Sequence, residues 1–183
     1  VPYGFVESFK EKFSPYVDYD DYAKVRDSKK YTVRSIYFDS HTLDFYYEKL
    51  DGKKIRRKLR LRTYNESSKG TPFFLEIKRR FSEKIVKERA ILPHDYLLSF
   101  CNDRINPNGH LKNTQMEKKI IEKFLYNLEQ KDLQPVVLVT YEREAFVSIF
   151  NDDVRITFDQ NVRTISNPRI EDIFREDDLI QIY

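Results

Sequence analysis

A single cysteine, Cys101, leaves the chain without an internal disulfide and without a zinc site built on several thiolates. A lone thiol fits a reducing compartment, and a cytoplasmic protein is expected. With only four glycines there is no glycine-rich phosphate loop of the P-loop or dinucleotide-binding kind. His41, His94 and His110 are scattered and lack the paired spacing of a histidine metal site. No apolar run approaches the roughly 18–20 residues of a membrane-spanning helix. The first residues show no basic-then-apolar leader pattern. Asn65-Glu66-Ser67 matches a glycosylation acceptor, a triplet that arises often by chance. No repeat and no linker rich in Pro, Gly or Ser divides the 183 residues, so a single domain over 1–183 is expected.

Charge and aromatic area are what the chain has in quantity. Charged residues make up 34% and hydrophobic ones only 40%, while 13 Tyr and 14 Phe supply much of the area a core needs. The 33 Lys and Arg against 30 Asp and Glu leave a net charge of just +3, a weak field for the whole molecule. Any hold on anions must come from where the basic residues sit.

Phe5, Phe9 and Phe13, with Val6 beside them, predict a helix over Pro2 to Phe13. Tyr16 to Lys30, acidic and then basic, reads as an exposed loop. A strand is expected from Tyr31 to Phe38, and Ser40 or Thr42 can cap a short helix through Leu50 that stops at Asp51-Gly52. Lys53 to Tyr64, Phe73 to Arg80 and Lys84 to Leu92 form an antiparallel meander, its first two strands joined by a turn over Asn65 to Pro72. A short helix over Pro93 to Phe100 leads to a polar stretch, Asn102 to Gln115, expected to be mobile. Ile120, Ile121, Phe124, Leu125 and Leu128 mark an amphipathic helix over Met116 to Leu128. Two long strands follow, Val136 to Phe146 (extending toward Phe150) and Val154 to Asp159, with the turn at Asn151-Asp152-Asp153. Val162 to Ile165 reads as a further strand, and Leu179 to Tyr183 as a last apolar stretch.

Successive strand residues point to opposite faces, so parity decides which side chains share a surface. Lys54, Arg56, Lys58, Arg60 and Arg62 share one face of their strand, opposite Ile55, Leu59 and Leu61. In the next strand Phe74, Glu76, Lys78 and Arg80 oppose Phe73, Leu75 and Ile77. Lys87 pairs with Arg89, Tyr141 with Arg143, and Arg155 with Thr157 and Asp159.

Such rows have an ordinary reading, the solvated face of an antiparallel sheet. Solvated faces usually mix signs, because like charges opposite each other destabilise the sheet. A mainly cationic row on several strands is better explained by an anion lying among them. Arg holds phosphate oxygens bidentately and Lys acts as a movable point charge. Nucleic acid is the competing polyanion. The apolar faces, however, look like outer sides covered by helices, which turns the charged faces inward. That interior suits a narrow phosphate chain better than a polymer carrying bases, and no nucleic-acid partner is expected.

The segments 31–40 (YTVRSIYFDS), 44–52 (DFYYEKLDG), 58–64 (KLRLRTY), 73–80 (FFLEIKRR), 84–90 (KIVKERA), 139–146 (VTYEREAF) and 154–159 (VRITFD) together resemble the VTC domain in order and spacing. That is the polyphosphate-polymerase domain of the vacuolar transporter chaperone type, one of the triphosphate tunnel metalloenzymes. The resemblance implies an α+β fold, an antiparallel β-barrel forming a tunnel with helices packed on the outside. It implies ATP, triphosphate or polyphosphate as partners, Mg²⁺ or Mn²⁺ as cofactor, and metal-dependent phosphoryl transfer that lengthens polyphosphate from ATP. Carried over, the phosphate-binding residues are Arg60, Arg62, Lys78, Tyr141, Arg143 and Arg155, joined by Lys87 and Arg89. Glu76 either coordinates a metal or neutralises Lys78 and Arg60, the second being favoured. Exchanging Arg60 and Arg62 for Ala is expected to abolish phosphate binding and leave folding nearly intact.

The family's Glu-x-Glu-x-Lys strand belongs just before the helix at Pro2 and has no counterpart here. Its last, LEVK-like strand is missing too, unless Gln181 stands where that Glu belongs. A domain trimmed at both ends is therefore expected, with turnover in a longer chain. The alternatives are a non-catalytic polyphosphate- or nucleotide-sensing module and an inorganic triphosphatase.

Overall fold

The computed structural model describes residues 3–65, 71–151 and 153–182. Pro2, most of the turn between residues 65 and 72, Asp152 and Tyr183 lie outside the described residues. Eight strands form one antiparallel sheet: β1 (Val17–Tyr19), β2 (Tyr31–Asp39), β3 (Ile55–Tyr64), β4 (Phe73–Phe81), β5 (Lys84–Leu92), β6 (Gln134–Ser148), β7 (Arg155–Ser166) and β8 (Ile180–Gln181). Their spatial order is β5-β4-β3-β2-β6-β7-β8, with β1 beside β6. The fold is α+β. Among the described residues β5 and β8 do not pair, so the sheet is open where a closed barrel was expected.

The apolar parity face builds the main core. Leu59, Leu61, Leu75, Ile77, Ala90 and Leu92 are fully or nearly fully buried there. Against them lies α5 (Gln115–Gln130), which presents Ile120, Ile121, Phe124, Leu125 and Leu128. Its first turn is fixed by a capping box: Thr114 Oγ1 accepts from the Glu117 amide while Glu117 accepts from the Thr114 amide. Two short helices, α3 (Asp44–Leu50) and α4 (Leu97–Cys101), add Phe45, Leu97 and Phe100 to this core. On the far side α1 (Tyr3–Phe13) packs Phe9 and Phe13 on Phe158, and Phe13 also on Phe146. Helices thus cover the outer face.

Several local expectations are revised. Residues 16–30 are not a loop throughout, for they hold β1 and a one-turn helix, α2 (Asp21–Lys24). A four-residue helix is too short to show a period. It exists because Asp20 accepts from the Ala23 amide at 2.8 Å and Ala23 is wholly buried. This helix sits on the charged side of the sheet, where Ala23, Tyr31, Val33, Tyr141 and Ala145 make a second, smaller core. Residues 162–165 are no separate strand but the continuation of β7. Asn161 takes a left-handed φ of 51° opposite a register shift between Thr140 and Glu142, so a turn-like sequence is absorbed as a bulge. The cap of α3 is chiefly Asp39, which accepts from the Phe45 and Tyr46 amides, with Ser40 accepting from Asp44. Residues 102–114 lack helix and strand yet are tied down. Asn108 donates to the Lys118 carbonyl and Glu122, Asn113 donates to the Ile91 carbonyl, and Leu111 is buried.

Candidate functional site

Register carries the charged rows from strand to strand. Arg60 faces Glu76, which faces Arg89; one step along, Lys58 faces Lys78, which faces Lys87. Across the sheet, Arg143 on β6 is opposite Tyr31 on β2 and Asp159 on β7. The curl of the sheet turns these rows onto one cavity of about 880 Å³. Arg60, Arg62, Lys78, Lys87, Arg89, Arg143 and Arg155 all line it. Five strands therefore deliver seven cations to a single space. Tyr141 does not line the cavity; it is buried behind, its hydroxyl accepting from Arg62 (3.3 Å) and Arg143 (3.1 Å).

Three carboxylates hold these cations in place. Arg60 Nε lies 2.5 Å from Glu76 Oε2, and Arg89 donates to Glu76 Oε1 at 2.9 Å. Arg143 makes a bidentate pair with Asp159, at 2.7 and 2.8 Å. Arg155 pairs with the buried Asp20, which also accepts from the Tyr31 hydroxyl at 3.3 Å. Among the described residues Arg62 has no carboxylate partner. It is buried and donates to Ser35 Oγ at 2.9 Å as well as to Tyr141. Lys78 and Lys87 make no ion pair among the described residues.

Protonation follows from these contacts. Burial alone raises the Glu76 pKa, but the charges of Arg60 and Arg62 and the hydrogen bonds from Arg60 and Arg89 outweigh it and hold the carboxyl below its ordinary value. Burial lowers the Lys58 ammonium pKa, and Lys49, Lys78 and Arg60 lower it further. Burial also raises the Tyr141 phenol, against the pull of Arg62 and Arg143.

Of the two roles open to Glu76, its contacts are those of a counter-charge, to Arg60 and Arg89 rather than to Lys78. Among the described residues no three His, Cys, Asp or Glu side chains cluster to hold a metal ion. The two carboxylates lining the cavity are taken, Glu76 by Arg60 and Arg89 and Glu88 by Arg79 and Lys123, so this donor set does not fit the expected Mg²⁺ or Mn²⁺ site.

Sequence parity found the cations but not the wall around them. Tyr22, Arg26, Tyr31, Tyr64 and Phe74 also line the cavity. The even-numbered Tyr64 and Phe74 share the parity of Arg62 and Glu76, a signal that was available. Tyr31 needed the β2–β6 register, and Tyr22 with Arg26 needed a helix that leaves no pattern.

A family model for the VTC domain matches residues 1–181. The chain belongs to the VTC domain family. Subunit 4 of the vacuolar transporter chaperone complex of Schizosaccharomyces pombe is 27% identical over 147 residues, taking in 73% of this VTC domain and 20% of that protein. The chain thus spans about a fifth of that relative's length. Among solved structures, a Hippeastrum protein described as a "putative adenylyl cyclase" with a dominant triphosphatase activity superposes with a TM-score of 0.51. The superposition covers 90% of this chain and 69% of that one, at 10% identity. This likeness is one of fold. No helix among the described residues is long and apolar enough to cross a membrane.

Proposed function

We propose that this VTC domain lays a linear run of phosphates, the triphosphate of ATP or a stretch of polyphosphate, along its cationic face and transfers a phosphoryl group there. The observation that carries this reading is the convergence of eight cations, Arg26 and the seven on the strands, on one cavity that only two carboxylates, Glu76 and Glu88, line among the described residues. Planar guanidiniums grip phosphate oxygens two at a time, and Lys78 and Lys87, free of ion pairs among the described residues, follow the chain as point charges. In phosphoryl transfer the charge spreads over the equatorial oxygens of the moving group, and fixed cations in a partly dry cavity stabilise it without reorganising. Glu76, Asp159 and Asp20 hold the guanidiniums in place before the ligand arrives. Tyr141 keeps Arg62 and Arg143 at a fixed separation. Membership of a family that includes a vacuolar transporter chaperone subunit supports polyphosphate as the product. The residues described do not fit a metal site.

A second reading, binding without turnover, is favoured by one feature. Among the described residues every carboxylate at the cavity is engaged by arginine, Glu88 by Arg79 included, which leaves none of them free as a base or metal ligand. The experiment is to incubate the full-length protein with ATP and Mn²⁺ and resolve the products, with tripolyphosphate titrated in parallel. A growing chain supports polymerisation, and free phosphate alone supports a triphosphatase. Binding with neither product supports a sensor. Absence of any tripolyphosphate binding overturns all three.

A further inference from the structure

The two ends of the cationic face differ. At one end Lys58, Lys78 and Lys87 stand in register. At the other, four aromatic rings follow one another along the cavity wall. Tyr22 and Tyr31 have centroids 6.3 Å apart, Tyr31 and Tyr64 6.1 Å, and Tyr64 and Phe74 5.6 Å, each pair edge to face. Tyr31 lies deepest at 6% exposed, Tyr64 and Phe74 are half-buried, and Tyr22, 70% exposed, stands at the rim. A solitary exposed tyrosine is ordinary surface. This one is the outermost of four rings on the wall that also carries Arg62, Arg143 and Arg155.

Its mounting is rigid. Tyr22 rides on α2, whose first turn is capped by Asp20, and that same carboxylate binds the Tyr31 hydroxyl and Arg155. Arg26 donates back to the Tyr22 carbonyl. One buried carboxylate therefore fixes the rim tyrosine, the tyrosine behind it and a cavity arginine together.

We infer that Tyr22, backed by Tyr31 and Tyr64, holds the base of a nucleoside triphosphate. Its phosphates lie on the arginines and its terminal phosphate points toward Lys58, Lys78 and Lys87. The inference rests on the phosphate-binding reading and gives that ligand a direction. A base offers a flat π-face to any exposed ring, and stacking of this kind tolerates every base. An inorganic phosphate chain has nothing to place there. Six residue steps of β3 carry Lys58 to Tyr64, about 20 Å at the usual strand rise, room for a nucleotide laid lengthwise.

The test compares ATP with tripolyphosphate by calorimetry on the full-length protein, using the wild type, Tyr22→Ala and Tyr22→Phe. Tyr22 is exposed, so both variants are expected to fold. Tyr22→Ala should weaken ATP about tenfold and leave tripolyphosphate unchanged, while Tyr22→Phe keeps the ATP affinity. A Tyr22→Ala effect that is equal for both ligands, or absent for ATP, overturns the inference alone. A wild type that binds no tripolyphosphate overturns the phosphate reading beneath it.

Discussion

Lys58 and Lys78 stand directly opposite each other across β3 and β4, on the charged face and with no carboxylate partner among the described residues. Lys87 continues the row on the far side of Lys78. Like charges in register destabilise a sheet, so this arrangement costs the empty protein something that a bound anion would relieve. Lys78→Gln should accordingly raise the stability of the ligand-free protein, by about 0.5 kcal/mol. Urea denaturation without phosphate in the buffer checks this. A loss of stability would mean that the lysines are not in conflict.

Arg62 is a different kind of residue. Parity alone suggests that Arg60 and Arg62 can be cut to Ala with little effect on folding. The structure overturns that for Arg62, which is 6% exposed and hydrogen-bonded to Ser35 and Tyr141. Arg62→Ala should cost about 2 kcal/mol, because it strands buried polar partners. Arg62→Lys should cost less and still weaken phosphate binding, since the bidentate fork is lost. Thermal melts and tripolyphosphate titrations of both variants separate the two effects.

Glu76 sets a pH dependence. Its folded pKa is held below the ordinary glutamate value by Arg60, Arg62 and Arg89. A depressed carboxylate contributes stability that is present above its unfolded pKa and is lost as pH falls through the folded one. Glu76→Gln should therefore be less stable than the wild type by about 2 kcal/mol at neutral pH. The gap should close on acidification through and below the usual carboxylate range. Parallel melts between neutrality and acid measure it, and a gap that widens in acid would contradict the assignment.

Cys101 is buried in the main core, and burial pushes its thiol up to about 12. The thiolate is the reactive form, so the folded protein should resist iodoacetamide at pH 8 and become alkylated only on unfolding. Mass spectrometry of native and urea-treated protein reads this directly.

Much of the site was legible because strand parity is local and exact in period. Arg60, Arg62, Lys78 and Arg89 follow from alternation against Leu59, Leu61, Leu75 and Ile77, with no tertiary information. What parity could not supply was depth. Arg62 and Arg60 look equivalent in sequence, yet only Arg62 is sealed in, because Ser35 and Tyr141 reach it from strands paired by register. The α2 helix was illegible for a related reason, since one turn capped by Asp20 carries no repeat and its place depends on Ala23 fitting beside Val33 and Ala145. The openness of the sheet lay beyond sequence too, as alternation says which face a residue takes and not whether the outer strands meet.

The central claim is that the cationic face binds linear phosphate. Its most direct test is titration of tripolyphosphate into the full-length wild type and the Lys78→Gln/Lys87→Gln double variant. Both lysines are exposed and make no ion pair among the described residues, so the fold should persist. One binding site in the wild type and at least tenfold weaker binding in the variant are expected. Equal affinity in the two proteins, or no binding by the wild type, would contradict the claim.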